Sequence, residues 1–171
     1  MISKIFKYSN FDAVLRHVLV TVGATLINTN MTSRDATMLA KEFQLFAALN
    51  PQEQCPCCHI IFSLIFRNAD HVMGECNQHL DDYEYYRIVR RYLEEMRFLG
   101  VNGMHKSQYI AARYRNKDRE EIHIIVSRIR MDGTVVSKHL EERRNDVVVK
   151  QLKHEFNLED LEDTEMVGIL A

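Results

Sequence analysis

The sequence predicts an α+β domain, an antiparallel sheet with helices packed mainly on one face. Three observations carry this expectation. Segments of helical periodicity and short apolar runs follow in the order helix, strand, helix, strand, long helix, strand, strand, strand, helix. Two of the runs, Gln108–Tyr114 and Glu121–Ile129, are separated only by a polar loop, Arg115–Glu120. The chain of 171 residues with 46% hydrophobic content suits one domain with its own core.

Taken in order, Met1–Tyr8 alternates apolar and basic residues and reads as a short first strand. Asn10 is placed to cap a helix whose Phe11, Val14, Leu15, Val18 and Val22 recur at helical spacing. Gly23 ends it, and Ala24–Ile27 reads as a strand. Thr32 with Asp35 resembles a capping box before a second helix with Leu39, Ala40, Phe43 and Phe46 inward, ended by Pro51. An apolar strand covers Ile60–Phe66, and a polar loop, Arg67–Gln78, follows. His79–Leu99 is the longest helix, with Leu80, Tyr83, Tyr86, Val89, Leu93 and Met96 as its buried stripe. Past a second loop, Gly100–Lys106, comes the central strand pair. Arg130–Thr134 is a tight turn leading to a strand at Val135 and Val136. Asn145 is placed to cap a last helix that buries Val149, Leu152 and Phe156. The expected domain is therefore 1–158, followed by an acidic tail at 159–171.

The chemistry concentrates in two places. Successive side chains alternate faces along a strand, so Glu121 and His123 share one face of theirs, and a carboxylate and an imidazole so placed can converge on a divalent cation. An ordinary polar strand face is the plainer alternative. Upstream, Cys55 and Cys58 have the Cys-x-x-Cys spacing of a zinc knuckle, and Cys76 with His79 would complete a structural zinc set. Free thiols of an intracellular chain are the alternative there. Charge is uneven around a net −2: residues 106–153 carry 12 Lys and Arg against 7 Asp and Glu, and residues 154–171 carry 6 acids and no Lys or Arg. A basic block of this kind attracts phosphate. No apolar run is long enough to span a bilayer and no signal-peptide pattern opens the chain, so a cytoplasmic protein without membrane contact is expected.

The run Gln108–Gly133, QYIAARYRNKDREEIHIIVSRIRMDG, resembles the relaxase (mobilisation nuclease) family of plasmid transfer, one of the His-hydrophobe-His endonucleases. Members carry a strand ending in Ala-Arg-His, a loop with an acidic residue, then His-hydrophobe-His, Val-Val-Asn/Ser-Arg-Ile and Asp-Gly. Met1–Ile5, Phe11–Ile27, His59 with its strand and Arg143–Leu158 read as the family's neighbouring segments in order. The resemblance implies a palm-like fold, a DNA partner that is single-stranded, and a nicking reaction in which a tyrosine attacks phosphorus while a metal polarises the phosphate. By that correspondence His17 stands at the nucleophile position, Tyr114 and Glu121 stand where two metal histidines are usual, His123 is the retained third, and Asn116 replaces the loop acid. His59 matches a histidine that relaxases often carry at the start of its strand.

Those departures set the expected function: a relaxase-like DNA-binding domain whose nicking activity is weak or lost. Arg113, Arg115, Lys117 and Arg119 flank the expected site and are the first choices for DNA contacts. One alternative is an active variant holding magnesium or manganese with Glu121, His123 and His59, with His17 or Tyr114 as an unconventional nucleophile. The other is a zinc-stapled module that binds a protein partner.

Overall fold

The computed structural model describes residues 1–21, 23–65, 80–100, 106–115 and 119–158, the side chains of Ile65 and Arg119 excepted. Its elements are β1 (Ile2–Tyr8), α1 (Asp12–Val20), β2 (Ala24–Thr29), α2 (Ala36–Ala47), β3 (Cys57–Ile65), α3 (Asp82–Glu95), β4 (Ser107–Arg115), β5 (Arg119–Arg130) and α4 (Glu141–Glu155). The five strands form one sheet in the order β1-β3-β5-β4-β2, with every neighbouring pair antiparallel. The predicted α+β class and antiparallel sheet are what the chain adopts.

β5 lies at the centre and carries apolar side chains on both faces. Ile122, Ile124 and Val126 point one way, Ile125 the other, and all four are fully buried. Such a strand needs cover on two sides. The helices accordingly divide two and two, instead of gathering mainly on one face as the sequence reading expected. α1 and α2 bury Leu15, Val18, Leu39 and Phe43 against Cys57, Ile110, Ala112 and Ile125. α3 and α4 bury Tyr85, Ile88, Tyr92 and Leu152 against Ile60, Phe62, Ile122 and Ile124.

Several local expectations shift by a turn or a few residues. The buried stripe of α3 is Tyr85, Ile88, Val89, Tyr92 and Leu93, and Tyr83 is exposed. The helix carries aromatic residues on two adjoining faces, and packing chose the face that also meets Asn145. That asparagine does not cap α4. It is buried within the helix, accepting from the Tyr92 hydroxyl at 2.8 Å and donating to Ser3 Oγ at 2.7 Å. α1 follows Phe11 without a side-chain cap, so Asn10 does not serve. Asp35 alone caps α2 through Thr37 and Met38, and Asp81 with Glu84 closes the capping box of α3. β3 starts at Cys57 and so takes in Cys58 and His59. Val135 makes a single bridge to Ile129 in place of a strand.

A buried ion cluster fastens α4 to the sheet. Arg128, with no exposed surface, meets Glu141 Oε1 at 2.6 Å and Cys58 Sγ at 2.9 Å, and Lys7 reaches Glu141 Oε2 at 2.7 Å. The two cations hold the Glu141 carboxyl below the usual range even though burial opposes this. The loop at 67–78, most of the two loops flanking β4, and the tail at 159–171 lie outside the described residues.

Candidate functional site

The face of the sheet that carries α1 and α2 is only partly covered, and the predicted site residues sit where the cover ends. Ladder register places Tyr114 opposite Glu121, Ala112 opposite His123, and Ser63 of β3 on the other side of Glu121. Side chains so paired share a face. His59 comes in from β3, and its Nε2 lies 3.0 Å from Nδ1 of His123. The other ring nitrogen of His123, Nε2, lies 3.2 Å from Glu121 Oε2, and Ser63 Oγ is 3.4 Å from Oε1. Glu121, His123 and His59 thus form a hydrogen-bonded chain. With Glu121 ionised, His123 donates from Nε2 to the carboxylate, and its bare Nδ1 accepts from His59 Nε2.

Burial tunes this chain towards neutral imidazoles. His59 is 4% exposed and His123 7%. Burial pushes His59 down to about 4, with the His123 and His17 charges adding to it. His123 is lowered by burial as well, with Glu121 pulling in the opposite direction. His17 is exposed on α1, on the side from which its charge reaches both rings. His59, His123 and Glu121 are therefore hydrogen-bonded neighbours, and His17 stands on α1 with its charge bearing on both rings.

Tyr114 joins them by its ring, 4.5 Å from that of His123 and tilted by 60°. Its hydroxyl donates to the carbonyl of Val18 near the end of α1, and burial raises the phenol above its ordinary range. The group that could have acted as ligand or nucleophile is therefore engaged as a helix-end contact.

The predicted DNA contacts are placed differently. Arg113 and Arg115 alternate with Tyr114 and so point to the opposite face. There Arg113 meets Asp82 at 2.6 Å and lies over the Tyr85 ring, and Arg115 pairs with Glu120. Lys117, Asn116 and the side chain of Arg119 lie outside the described residues. So do Cys76 and His79 of the proposed zinc set. Of the other half, Cys58 is fully buried in β3 against Arg128, and Cys55 precedes the strand, its amide donating to Glu53. Burial pushes the Cys58 thiol up to about 11, the opposite of what a metal thiolate needs.

Two residues escaped the sequence reading. Phe6 and Tyr8 of β1 are 41% and 39% exposed, with ring centroids 6.2 Å and 6.4 Å from that of His59. Register pairs Phe6 with His59. Their alternation with Lys7 was visible, but their place beside the site depends on β1 pairing with β3.

A three-ligand metal site is not formed by these residues. Among the described residues no group of three His, Cys, Asp or Glu side chains is arranged around one point. Glu121 and His123 Nε2 face each other and could chelate as a pair. His59, however, addresses the opposite nitrogen of His123, and the Tyr114 hydroxyl is turned to Val18. Among the described residues no helix is long and apolar enough to cross a membrane.

Comparison with known proteins adds a family. No curated protein and no solved structure matches the chain. The family model Relaxase: MobA/VirD2-like, nuclease domain matches residues 20–158, which is most of the sequence and includes β2 to α4. With the sheet, the His123 strand at its centre and that match all agreeing, this chain belongs to the relaxase family, in its MobA/VirD2-like nuclease domain group.

Proposed function

We propose that this chain is a relaxase-fold domain that binds single-stranded DNA across the open part of its sheet and nicks it weakly or not at all. One observation carries the reading: both ring nitrogens of His123 are committed, one to Glu121 and one to His59. A metal on this histidine must break an existing hydrogen bond, and among the described residues no third donor faces the same point. The nucleophile is affected in the same direction, since His17 stands where the family has tyrosine and the Tyr114 hydroxyl is occupied. What remains suits strand binding. Phe6 and Tyr8 offer exposed aromatic faces for unpaired bases, with Lys4 on the same side of β1 to meet a phosphate.

The test is nicking of supercoiled plasmid with magnesium or manganese. The expected result is absent or very slow conversion to open circles. Efficient conversion with protein covalently attached to DNA would overturn the reading. A triple change, His17→Tyr, Tyr114→His and Glu121→His, asks whether the missing parts are the only obstacle, and restored nicking would say that the rest of the site is intact. A second reading, a variant enzyme with a divalent cation held by Glu121 and His123, is favoured by their 3.2 Å approach. Manganese titration followed calorimetrically decides between them: the proposed domain shows no heat that Glu121→Gln abolishes.

A further inference from the structure

On the other side of the sheet from His123, between the end of α3 and the start of α4, lies a cavity of about 470 Å³. It is lined by Arg97, His139, Arg143 and Arg144, with Glu95 as its one acid, and that carboxylate is already paired with Arg91 at 2.9 Å. Arg97 and Arg143 are exposed and have no side-chain partner among the described residues. Arg144 is half-buried. It donates from Nη2 to the Ser137 carbonyl at 2.9 Å, but its Nε is buried with no partner. An unsatisfied guanidinium donor is costly, and it shares its charge with a cavity that already holds two arginines unpaired among the described residues, a setting that favours an anion as the acceptor.

The backbone adds an independent observation. α3 ends with Phe98 N bonded to Leu93 O at 2.8 Å and Arg97 N bonded to Glu94 O at 2.9 Å, a Schellman closure. The left-handed residue of that motif is usually glycine, and here it is Arg97, at φ 68°. Across the cavity Leu140 is left-handed too, at φ 52°. Two side chains are thus held over one cavity by a conformation that L-residues disfavour.

We infer that this cavity binds the phosphate ester of a nucleotide unit. Arginine forks match phosphate oxygens two at a time. The volume exceeds what a bare anion needs, and exposed Leu140 and Val147 supply apolar surface for the organic part. The source is a free nucleotide or a unit of a nucleic-acid strand, and the inference does not rest on the reading of the sheet site.

Two probes separate these sources: deoxyadenosine 5′-monophosphate and an unstructured thymidine oligonucleotide, each titrated calorimetrically into the full chain and into Arg97→Gly and Arg143→Ala. Glycine suits φ 68°, so Arg97→Gly keeps the helix end and its thermal unfolding should match or exceed that of the parent chain. The expected result is about tenfold weaker binding in each variant, the loss of one charge-assisted contact. A loss seen with the mononucleotide supports a site complete in itself. A loss seen only with the oligonucleotide supports the strand as source. Variants that bind both probes like the parent chain, or a parent chain that binds neither, would overturn the inference.

Discussion

The two faces of the sheet are built to different standards. The face under α3 and α4 is closed: its apolar core draws buried side chains from β3, β4 and β5, and its buried cation, Arg128, meets an acid, a thiol and a backbone carbonyl. The face under α1 and α2 is closed around Cys57, Ile110, Ala112 and Ile125. Beyond them it leaves a carboxylate, two buried imidazoles and two exposed aromatic rings at the margin of the cover. One face has the character of a scaffold and the other of a surface meant to be touched. Adjacent residues of β5, Ile124 and Ile125, belong to one face each.

The largest effect should come from the scaffold. Glu141→Ala leaves Arg128 buried and unpaired, which costs about 3–5 kcal/mol in urea unfolding. Replacing both partners, Arg128→Met with Glu141→Leu, should recover most of that loss. If the single change were as mild as a surface substitution, the cluster would not be holding α4 in place.

Next come the neighbours on β5. Ile124→Ala and Ile125→Ala each remove a fully buried side chain and should each cost about 2–5 kcal/mol. They should differ in oligonucleotide binding at a temperature where both remain folded. Ile125 stands opposite His59 in the ladder, so only its truncation should weaken binding. Equal binding losses would erase the distinction between the faces.

A smaller effect is expected from the exposed rings. Phe6→Ala or Tyr8→Ala should weaken oligonucleotide binding by about 1–3 kcal/mol, the worth of one stacked base, with thermal stability nearly unchanged. Fluorescence of a 2-aminopurine placed along the strand would report the stacking directly. Unchanged affinity in both variants would move the DNA path off β1.

The smallest effect is one of pH. The folded carboxyl of Glu141 titrates below its unfolded value of about 4.3. Its contribution is therefore fully present above that value and is lost as pH falls through the folded one. Unfolding temperature should drop below about pH 4, and Glu141→Gln should flatten that part of the curve. A slope unaltered by the substitution would mean that other carboxyls carry the acid sensitivity.

Much of this was legible beforehand, for a local reason. Period two along β5 puts Glu121 and His123 on one side whatever surrounds them, and alternating apolar runs mark β4 and β5 without reference to other elements. The neighbours His59, Tyr114, Glu121 and His123 were all nameable from the sequence. Their roles were less so. Asn145 looks like a cap because asparagine often caps, yet it lies buried between Tyr92 and Ser3, both distant in sequence. Arg113 and Arg115 flank the site along the chain and turn away from it in space.

The sequence by itself determined the central strand pair, its alternating faces and the family, since these depend on patterns within a few residues or along a matched segment. Only the tertiary structure decided that β1 and β3 lie beside β5, so that His59 occupies one nitrogen of His123 while Phe6 and Tyr8 stand open next to it. It also decided that the helices divide between two faces and that Arg97 and Arg143 share a cavity. Each of these depends on which element packs against which, and that choice is made by the burial of the whole chain at once and not by any stretch of it.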